Sequence, residues 1–553
     1  MKKKFLLALL SVGLLLGLVA CTNNNDPDTP PTDGGDDIVE NGGNDAGDDG
    51  NQDSGLAREL YVLTWEGTGR LFRNFGNMDL GANELVARED AGMHATARAF
   101  NELHPDVSIN YFGVSGSPDG WAQQIENFRA EHGRWPDLIL TNNVADLVER
   151  GIAADLSRFA DTDSFQRFNP TLLSLSNFYG FQASIPQYAL PHGVWVNRSL
   201  AEANNIDTPP VNWTIDQFTN FISQADNETF FGIMDTPFNF IWTGASTIRP
   251  QILNHDGTGD FVDLNSDEVR HLLSYIPRWA NHSLWPNWDL GNISEAFMVE
   301  HGWWDYNFFR MNRLLTFHED PWFLSSASNP DPNFWGRVLA DDWDIFPRPA
   351  TEHVDNTVGI IVNSWVVFDH TQTDMDEAAA LERMRLAYDF AAFYSGDTRA
   401  WQARADQEWM NNGVSAVALD DSFPMVTGAD FDAQMQIWYQ APARQVFADE
   451  SSFPGLHFVK QLWERGQIYD VSSQTIPWHV NEEGSPRSVM DEFENIWNPD
   501  VVGAARTDAN WLDMVLSRLS EWNELTNNRF RQADQMIREA LIRFHGFTEA
   551  DFN

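Results

Sequence analysis

Tryptophans, amides and carboxylates are the residues of this chain whose chemistry is easiest to recognise, and 23 of its 553 residues are tryptophan. An indole ring offers a flat apolar face on which a patch of C–H groups can lie. Amides, carboxylates and arginines offer directed hydrogen bonds to hydroxyl groups. Together they form the chemistry that binds a polyhydroxylated ligand. Most tryptophans must still serve the core, because large aromatic side chains are mostly buried.

Four candidates for ligand contacts directly follow predicted strands near the start of the folded part. They are Trp65, Glu66, Asn142 and Asn143. Strands and helices alternate along this part of the chain, which predicts an α/β fold with a mainly parallel, doubly wound sheet. Ligands of such sheets bind outside the carboxyl ends of the strands. We therefore expect these four residues to line the binding site.

Residues 178–197, FYGFQASIPQYALPHGVWVN, are interpreted as the link between two lobes that close on a small ligand. Pro186 and Pro191 lack the N–H group that a sheet ladder uses, so each belongs at a sheet edge or at a crossing. A helix and a Pro-Pro break follow, as expected for a strand that leaves one folding unit and enters another. His192 lies in this crossing. It either contacts the ligand or satisfies backbone groups of the hinge, and the second role is favoured.

Residues 179–218, YGFQASIPQYALPHGVWVNRSLAEANNIDTPPVNWTIDQF, resemble the signature region of family-one extracellular solute-binding proteins of ABC importers, the sugar-binding type related to maltose-binding protein. The matching order is a loop ending in Tyr-Gly, a short strand to a proline, an aromatic crossing, a helix, a Pro-Pro loop and a helix start at Trp-Thr. Thr214 is the expected N-cap of that last helix. The order of elements matches from about Glu59 to the C-terminus.

The resemblance implies a periplasmic-binding-protein-like fold of type II, in which two doubly wound α/β lobes are joined by hinge crossings. Residues 56–188 with about 354–400 would form lobe 1. Residues 189–353 with about 401–553 would form lobe 2, on which the C-terminal helices would pack.

The resemblance also implies that Trp303 and Trp304 occupy a place where family members often stack a sugar ring. Loops and crossings supply the remaining candidates for ligand contacts. The full set of these further candidates is Trp242, Trp303, Trp304, Asp305, Asn363, Trp365 and Trp478.

The N-terminus predicts a secreted lipoprotein. Three lysines precede the apolar run 5–20, and Leu-Val-Ala-Cys is the lipobox pattern, so residues 1–20 form a signal peptide and Cys21 carries the lipid. A plain membrane-spanning anchor is less favoured, because the run is short for a span of about 20 residues. Residues 21–55 then form a disordered acidic tether; a calcium-binding role for this tract is less favoured than a solvated spacer. The predicted location is the extracellular face of the cytoplasmic membrane.

The formal net charge of −46 excludes nucleic acid as an expected partner, because phosphate binding needs a basic face. Lys460 is the only lysine beyond the predicted signal, and every other basic residue there except histidine is arginine. An alkaline or saline exterior would favour this composition, because arginine stays protonated where lysine loses its charge. Genomic base composition explains it equally well.

No motif indicates catalysis, a cofactor or a metal: there is no Gly-x-Ser-x-Gly, His-Glu-x-x-His or Walker sequence. The acidic stretch 263–268 lacks the glycine of an EF-hand loop, and a helix cap from Asn265 or Ser266 explains it better. The expected function is a monomeric, membrane-anchored binding lipoprotein that captures a carbohydrate, more readily an oligosaccharide, and delivers it to an ABC permease. The alternatives are a secreted polysaccharide-degrading enzyme and the same fold binding a peptide or another polar solute.

Overall fold

A computed structural model describes most of the region beyond the predicted tether. The described residues are 58–65, 73–74, 81–82, 88–114, 121–233, 260–261, 263–284, 296, 308, 312–319, 321, 343–411, 414–442, 444–470 and 511–552.

The strands in these ranges are β1 (Arg58–Trp65), β2 (Arg73–Asn74), β3 (Val107–Val114), β4 (Leu138–Thr141), β5 (Asn177–Phe178), β6 (Phe181–Gln182), β7 (Ile185–Asn197), β8 (Phe231–Ile233), β9 (Leu314–Glu319), β10 (Trp343–Phe346), β11 (Val358–Val367), β12 (Glu408–Asn411), β13 (Val414–Val417) and β14 (Ile468–Asp470).

The α-helices are α1 (Arg88–Leu103), α2 (Trp121–His132), α3 (Val144–Glu149), α4 (Asp163–Gln166), α5 (Pro170–Ser174), α6 (Arg198–Ala203), α7 (Ile215–Ile222), α8 (Asp267–Leu273), α9 (Ile276–Ala280), α10 (Glu377–Gly396), α11 (Thr398–Asp406), α12 (Gly428–Trp438), α13 (Pro454–Glu464) and α14 (Trp511–His545).

Strand β7 belongs to two sheets. Its first part pairs with β11, and its last part lies between β9 and β10. The first sheet has the strand order β2-β3-β1-β4-β11-β7, with β14 also beside β11, and β1 runs parallel to both β3 and β4. The second sheet continues from β7 through β9 to β8. The predicted crossing is therefore one strand that runs through both sheets.

The prolines of β7 lie where the strand forms an edge. Pro186 pairs with Ser364 at a register shift of the ladder, and Pro191 pairs with Ile360; the ladder to β11 is the one described along this part of β7. Gly193 marks the passage into the second sheet. A Cβ atom there would lie 2.7 Å from Ile345 Cγ1 and from the Phe346 carbonyl oxygen, so glycine is what lets β10 approach β7. The edge position predicted for the prolines is confirmed.

Gly151 follows α3 in the left-handed conformation with φ +68°, which suits a glycine after a helix. The predicted helix caps are confirmed. Thr214 caps α7, where its side chain and that of Gln217 form a capping box. The Ser266 hydroxyl accepts a hydrogen bond from the Val269 N–H at 3.2 Å, so the acidic stretch does cap a helix.

Tryptophans fill the core, as expected for most of them. Several have less than 2% of their surface exposed: Trp195, Trp213, Trp279, Trp343, Trp365, Trp401, Trp438 and Trp463. Buried indole N–H groups usually need an acceptor. That of Trp213 donates to the Pro347 carbonyl at 2.9 Å, and that of Trp279 donates to the Thr219 hydroxyl at 2.8 Å.

Helix α14 packs on two separate hydrophobic clusters. Its first part contributes Val515, Leu519, Trp522 and Phe530 to the cluster around α7, α8 and α9. Its last part contributes Ile537 and Leu541 to the cluster around β4 and α3. The predicted packing on the second lobe therefore describes the first part of α14, whereas the last part contacts elements of the predicted first lobe.

The division of the chain into two lobes stays a prediction. Helix α11 straddles its boundary near residue 400 and packs on α1, where the Arg404 guanidinium donates to the Thr96 hydroxyl at 3.2 Å. In the described part of the chain, no helix has both the length and the apolar character needed to cross a membrane.

Candidate functional site

The pairing of three neighbouring strands, β1, β4 and β11, brings separate candidate residues to one edge of the first sheet. Val62 and Leu63 of β1 pair with Leu138 and Ile139 of β4, so the carboxyl ends of the two strands lie side by side. Ser364 of β11 pairs with Thr141 at the end of β4. This register places Asn363 level with Asn142. We call this place, formed by Thr64, Asn142, Asn143 and Asn363, the amide edge.

The amide edge buries polar atoms that have no hydrogen-bond partner among the described residues. Asn142 and Asn143 are each 3% exposed, and Asn363 is 7% exposed. The Oδ1 atoms of all three asparagines and the Thr64 hydroxyl lack a partner. Burying a polar group unpaired costs about 1–3 kcal/mol, so native structures rarely gather several in one place without a use.

Asn143 shows most clearly that an amide oxygen of this edge is not used where the fold would ordinarily use it. It occupies the N-cap position of α3, yet its side chain makes no capping hydrogen bond. Asparagine at an N-cap usually accepts from a backbone N–H of the first turn. Asn169 does so at α5, accepting from the Thr171 N–H at 2.9 Å, and Asn197 does so at α6, accepting from the Leu200 N–H at 2.9 Å. The Asn143 amide is thus available for another contact.

Trp365 lies one residue beyond Ser364 on β11, but its ring belongs to the core. It is 1% exposed and packs edge to face against Tyr394 of α10, with ring centroids 5.4 Å apart. Its indole N–H has no acceptor among the described residues. The ring has no free face on which a sugar could stack, so a contact to ligand would have to use the N–H group.

His192 lies on β7 just before the passage between the sheets. Its ring contacts that of His318 on β9, with centroids 4.4 Å apart, and its Nδ1 lies 3.5 Å from a guanidinium nitrogen of Arg348. Burial, helped by the positive charge of Arg348, lowers the pKa of His192 to about 3. The same two causes hold the pKa of His318 well below its usual range. Both imidazoles are therefore neutral at physiological pH, and His192 lies beside the charged Arg348 where the chain crosses between sheets.

A buried ion cluster around Asp421, after β13, was not predicted from the sequence. The Asp421 carboxylate contacts Arg88 at 3.0 Å and Arg444 at 3.2 Å, and it is fully buried. The next residue, Ser422, accepts from the Ala189 N–H at 2.9 Å and thereby holds this segment against β7. Arg88 begins α1, which follows β1. No sequence signal links residues so far apart in the chain.

The other predicted contacts lie outside the described residues. They are Glu66, Trp242, Trp303, Trp304, Asp305 and Trp478, together with the lipidation site Cys21. The side chain of Trp65 is likewise outside, although its backbone ends β1. Within the described ranges, no group of three or more His, Cys, Asp or Glu side chains is arranged to hold a metal ion.

No family model matches the chain. A protein of Brucella abortus (strain 2308) that is named as a binding protein is 24% identical over 192 residues, which are 33% of this chain and 46% of that protein. The match thus spans about half the length of this curated relative.

Solved structures match nearly the whole chain. A sugar transporter protein from Rhizobium etli, in an open conformation, is 16% identical, with a TM-score of 0.54 over 85% of this chain and 99% of its own. A family-one extracellular solute-binding protein from Alicyclobacillus acidocaldarius is 11% identical, with a TM-score of 0.51 over 86% of this chain and 100% of its own.

At sequence identities of 16% and 11%, the structural similarity shows that the fold is shared. The chain has the periplasmic-binding-protein-like α/β fold, and the resemblance read from residues 179–218 is confirmed at that level.

Two asparagines at matched N-cap positions test whether the amide edge is free of a structural role. We expect Asn143→Ala to change the free energy of unfolding by less than about 0.5 kcal/mol, or to raise it, because no hydrogen bond is lost. Asn169→Ala should lower it by about 1–2 kcal/mol, because a cap is lost. Urea unfolding followed by tryptophan fluorescence measures both, and equal losses in the two variants would contradict the assignment.

The hinge histidine gives a pH-dependent prediction. His192 takes up a proton near pH 6.5 in the unfolded chain but only near pH 3 in the folded one. Its contribution to stability is therefore complete above pH 6.5 and is lost as the pH falls towards 3. When the pH falls from 7 to 5, the free energy of unfolding should fall in both proteins. The fall should be about 1–2 kcal/mol smaller in His192→Gln than in the unaltered protein. Parallel curves of stability against pH would show that His192 is not buried as a neutral group.

Proposed function

We propose that this protein is the substrate-binding component of an ABC importer and that it captures a carbohydrate between its two lobes. The observation that carries the proposal is the amide edge, where buried amide oxygens have no partner among the described residues. Asn142 and Asn143 follow the carboxyl end of β4, which is parallel to β1, and Asn363 lies beside them on the antiparallel strand β11. Ligands of doubly wound sheets bind at that end. Because β7 runs from this sheet into the second one, a ligand held at the amide edge can also be contacted from the other lobe.

The similar proteins support the same proposal. The Rhizobium etli protein is named as a sugar transporter, and a protein from Arthrobacter globiformis with a TM-score of 0.50 and 14% identity is named as binding a cyclic maltosyl-maltose. In the proposed mechanism, hinge motion about β7 closes the lobes, and the ligand stabilises the closed form because both lobes contact it. The closed form is the one that docks on the permease. No chemical change of the ligand is required.

The proposed ligand contacts follow from the placement of the candidates. Asn142, Asn143 and Asn363 hydrogen-bond hydroxyl groups of the ligand, and Trp65 at the end of β1 stacks on a ring. Trp242, Trp303, Trp304, Asp305 and Trp478 remain candidates from the opposite side. His192 acts through the hinge rather than on the ligand.

Binding without turnover is the direct test. The full-length protein in detergent is screened by thermal unfolding against maltopentaose, cellopentaose, mannopentaose and a pentaalanine peptide. We expect one glycan to raise the melting temperature, because a ligand at 100 times its Kd stabilises the folded state by about 2.7 kcal/mol. Chromatography after prolonged incubation should recover it intact. Released reducing ends would instead identify a polysaccharide-degrading enzyme, and stabilisation by the peptide alone would identify a peptide-binding protein.

Variants connect that binding to the amide edge. Asn143→Ala should weaken binding of the stabilising glycan about tenfold, because leaving a buried hydrogen-bonding group of the ligand unsatisfied costs about 1–3 kcal/mol. Asn169→Ala, which lies away from the edge, should bind as the unaltered protein does. Unchanged affinity of Asn143→Ala would remove the amide edge from the binding site.

We also propose that the protein is anchored to the outer face of the cytoplasmic membrane by lipid on Cys21, the only cysteine of the chain. In a bacterial host fed labelled palmitate, the full-length protein should carry label and sediment with membranes. Cys21→Ser should lose the label. A labelled Cys21→Ser variant, or an unlabelled parent protein, would contradict the anchor.

A further inference from the structure

We infer that lobe closure is coupled to a proton: His192 takes up a proton when the lobes open and loses it when they close, so that acid favours the open form. The residues that carry this coupling are His192, His318 and Arg348, which we call the hinge cluster. The inference rests on the proposed function and adds a regulation of the same closure. Its observation is that two connections between the two sheets meet at the hinge cluster.

The two connections are strand β7, which carries His192, and the segment from β10 to β11, which carries Arg348. Phe346 of β10 pairs with Val194 of β7, and continuing this antiparallel register by two residues brings Arg348 level with His192. The Arg348 Nη2 atom lies 3.5 Å from the His192 Nδ1 atom, and the His318 ring contacts His192 from β9. A rotation of one sheet against the other therefore acts directly on the contacts of the hinge cluster.

The hinge cluster as it stands disfavours a proton on His192. Arg348 is 1% exposed, and its guanidinium stays charged at every physiological pH. A proton on His192 would place a second positive charge beside it in a site that holds little water, where like charges repel strongly. Burial first and Arg348 second lower the pKa of His192 for this reason. The conformation in the structure therefore holds His192 as a neutral base.

Opening of the lobes changes the water around His192. His318 and Arg348 are buried, whereas His192 is only partly buried, so its ring already has a route to solvent. Opening admits more water along the connections between the sheets, and hydration favours the charged form of an imidazole. In the open form the pKa of His192 should therefore lie closer to the ordinary histidine value of about 6.5. Because the two forms then differ in proton affinity, closure releases a proton.

Other titratable groups lie on the elements around the hinge cluster. Glu319 follows the second histidine on β9, and Tyr469 of β14 lies beside the residue of β11 that pairs with His192. The segment from β10 to β11 also carries the exposed residues Glu352, His353 and Asp355. On β10, burial raises the pKa of Asp344 to about 6. Asp344 therefore titrates in the same pH range as the open form of His192, and a test must separate the two.

Proton release on binding tests the inference. Binding of maltopentaose, cellopentaose and mannopentaose is measured by calorimetry at pH 6 in two buffers of different ionisation enthalpy, which counts the protons released. These glycans do not titrate, so the count belongs to the protein. For the glycan that binds, we expect about 0.5–1 proton released at pH 6 and an affinity about tenfold lower at pH 5.5 than at pH 7.5, as one histidine of ordinary pKa requires.

Two outcomes of this experiment differ in what they overturn. A glycan that binds without proton release and with equal affinity at both pH values would overturn the coupling and leave the carbohydrate-binding function intact. Absence of binding by all three glycans would overturn the proposed function and the inference with it.

Histidine variants assign the released proton to its residue. His192→Gln and His192→Asn keep a hydrogen-bonding side chain that cannot take up a proton, so both should bind at pH 7.5 and release no proton at pH 6. Thermal unfolding at pH 7.5 checks that each variant is folded, and one folded variant suffices. His271→Gln removes a partly exposed histidine of α8 and should release as many protons as the unaltered protein. Release that persists in the folded His192 variants, or that is lost in Asp344→Asn alone, would overturn the inference.

Discussion

The structure depends on one strand that pairs with two sheets. The first part of β7 is held by β11, and its last part is held by β9 and β10. Backbone hydrogen bonds on both sides of Gly193 tie the two sheets to the same stretch of chain. Any motion of one sheet against the other must be absorbed near the passage, where His192 contacts His318 and lies beside Arg348.

Helix α14 adds a second physical link between the same two regions. Its first part is buried with α7 and α8, and its last part is buried with β4 and α3. Within the first part, the Asn527 side chain accepts from the Phe261 N–H and donates to the Asn523 carbonyl. Because α14 packs in both hydrophobic clusters, a rotation of the lobes about β7 can leave both clusters intact only if α14 keeps its contacts with each of them.

Features with a local signal were predictable from the sequence. Thr214 followed by Gln217 is a capping box, Gly151 suits a left-handed position after a helix, and Pro186 and Pro191 exclude a central strand position. The order of strands and helices was sufficient for the α/β class. The expectation of a mainly parallel sheet was wrong, because β11 is antiparallel to β4 and β7, and β7 is antiparallel to β9 and β10. The order was also sufficient to place Asn142 and Asn143 at the carboxyl end of a strand, because parallel strands orient all such ends the same way.

Features that depend on distant pairing were not predictable in the same way. The proximity of Asn363 to Asn142 follows from the register of β11 on β4, and a register shift on β11 lies next to Asn363. Strand β11 is buried on both faces, so no alternation of polar and apolar residues shows which side Trp365 faces, and its ring proved to pack in the core. The ion cluster around Asp421 joins parts of the chain separated by hundreds of residues. No local sequence pattern indicates it, because folding alone brings these residues together.

The central claim is that two lobes close on a solute about the strand they share. The distance between spin labels on the two lobes tests it most directly. The chain has one cysteine, so the labels can be attached to Glu102→Cys on α1 and Glu228→Cys before β8, two exposed positions, in a Cys21→Ser background. The account predicts that the stabilising oligosaccharide changes the distance distribution from a longer to a shorter mean distance. A distribution that stays the same at saturating ligand would contradict it.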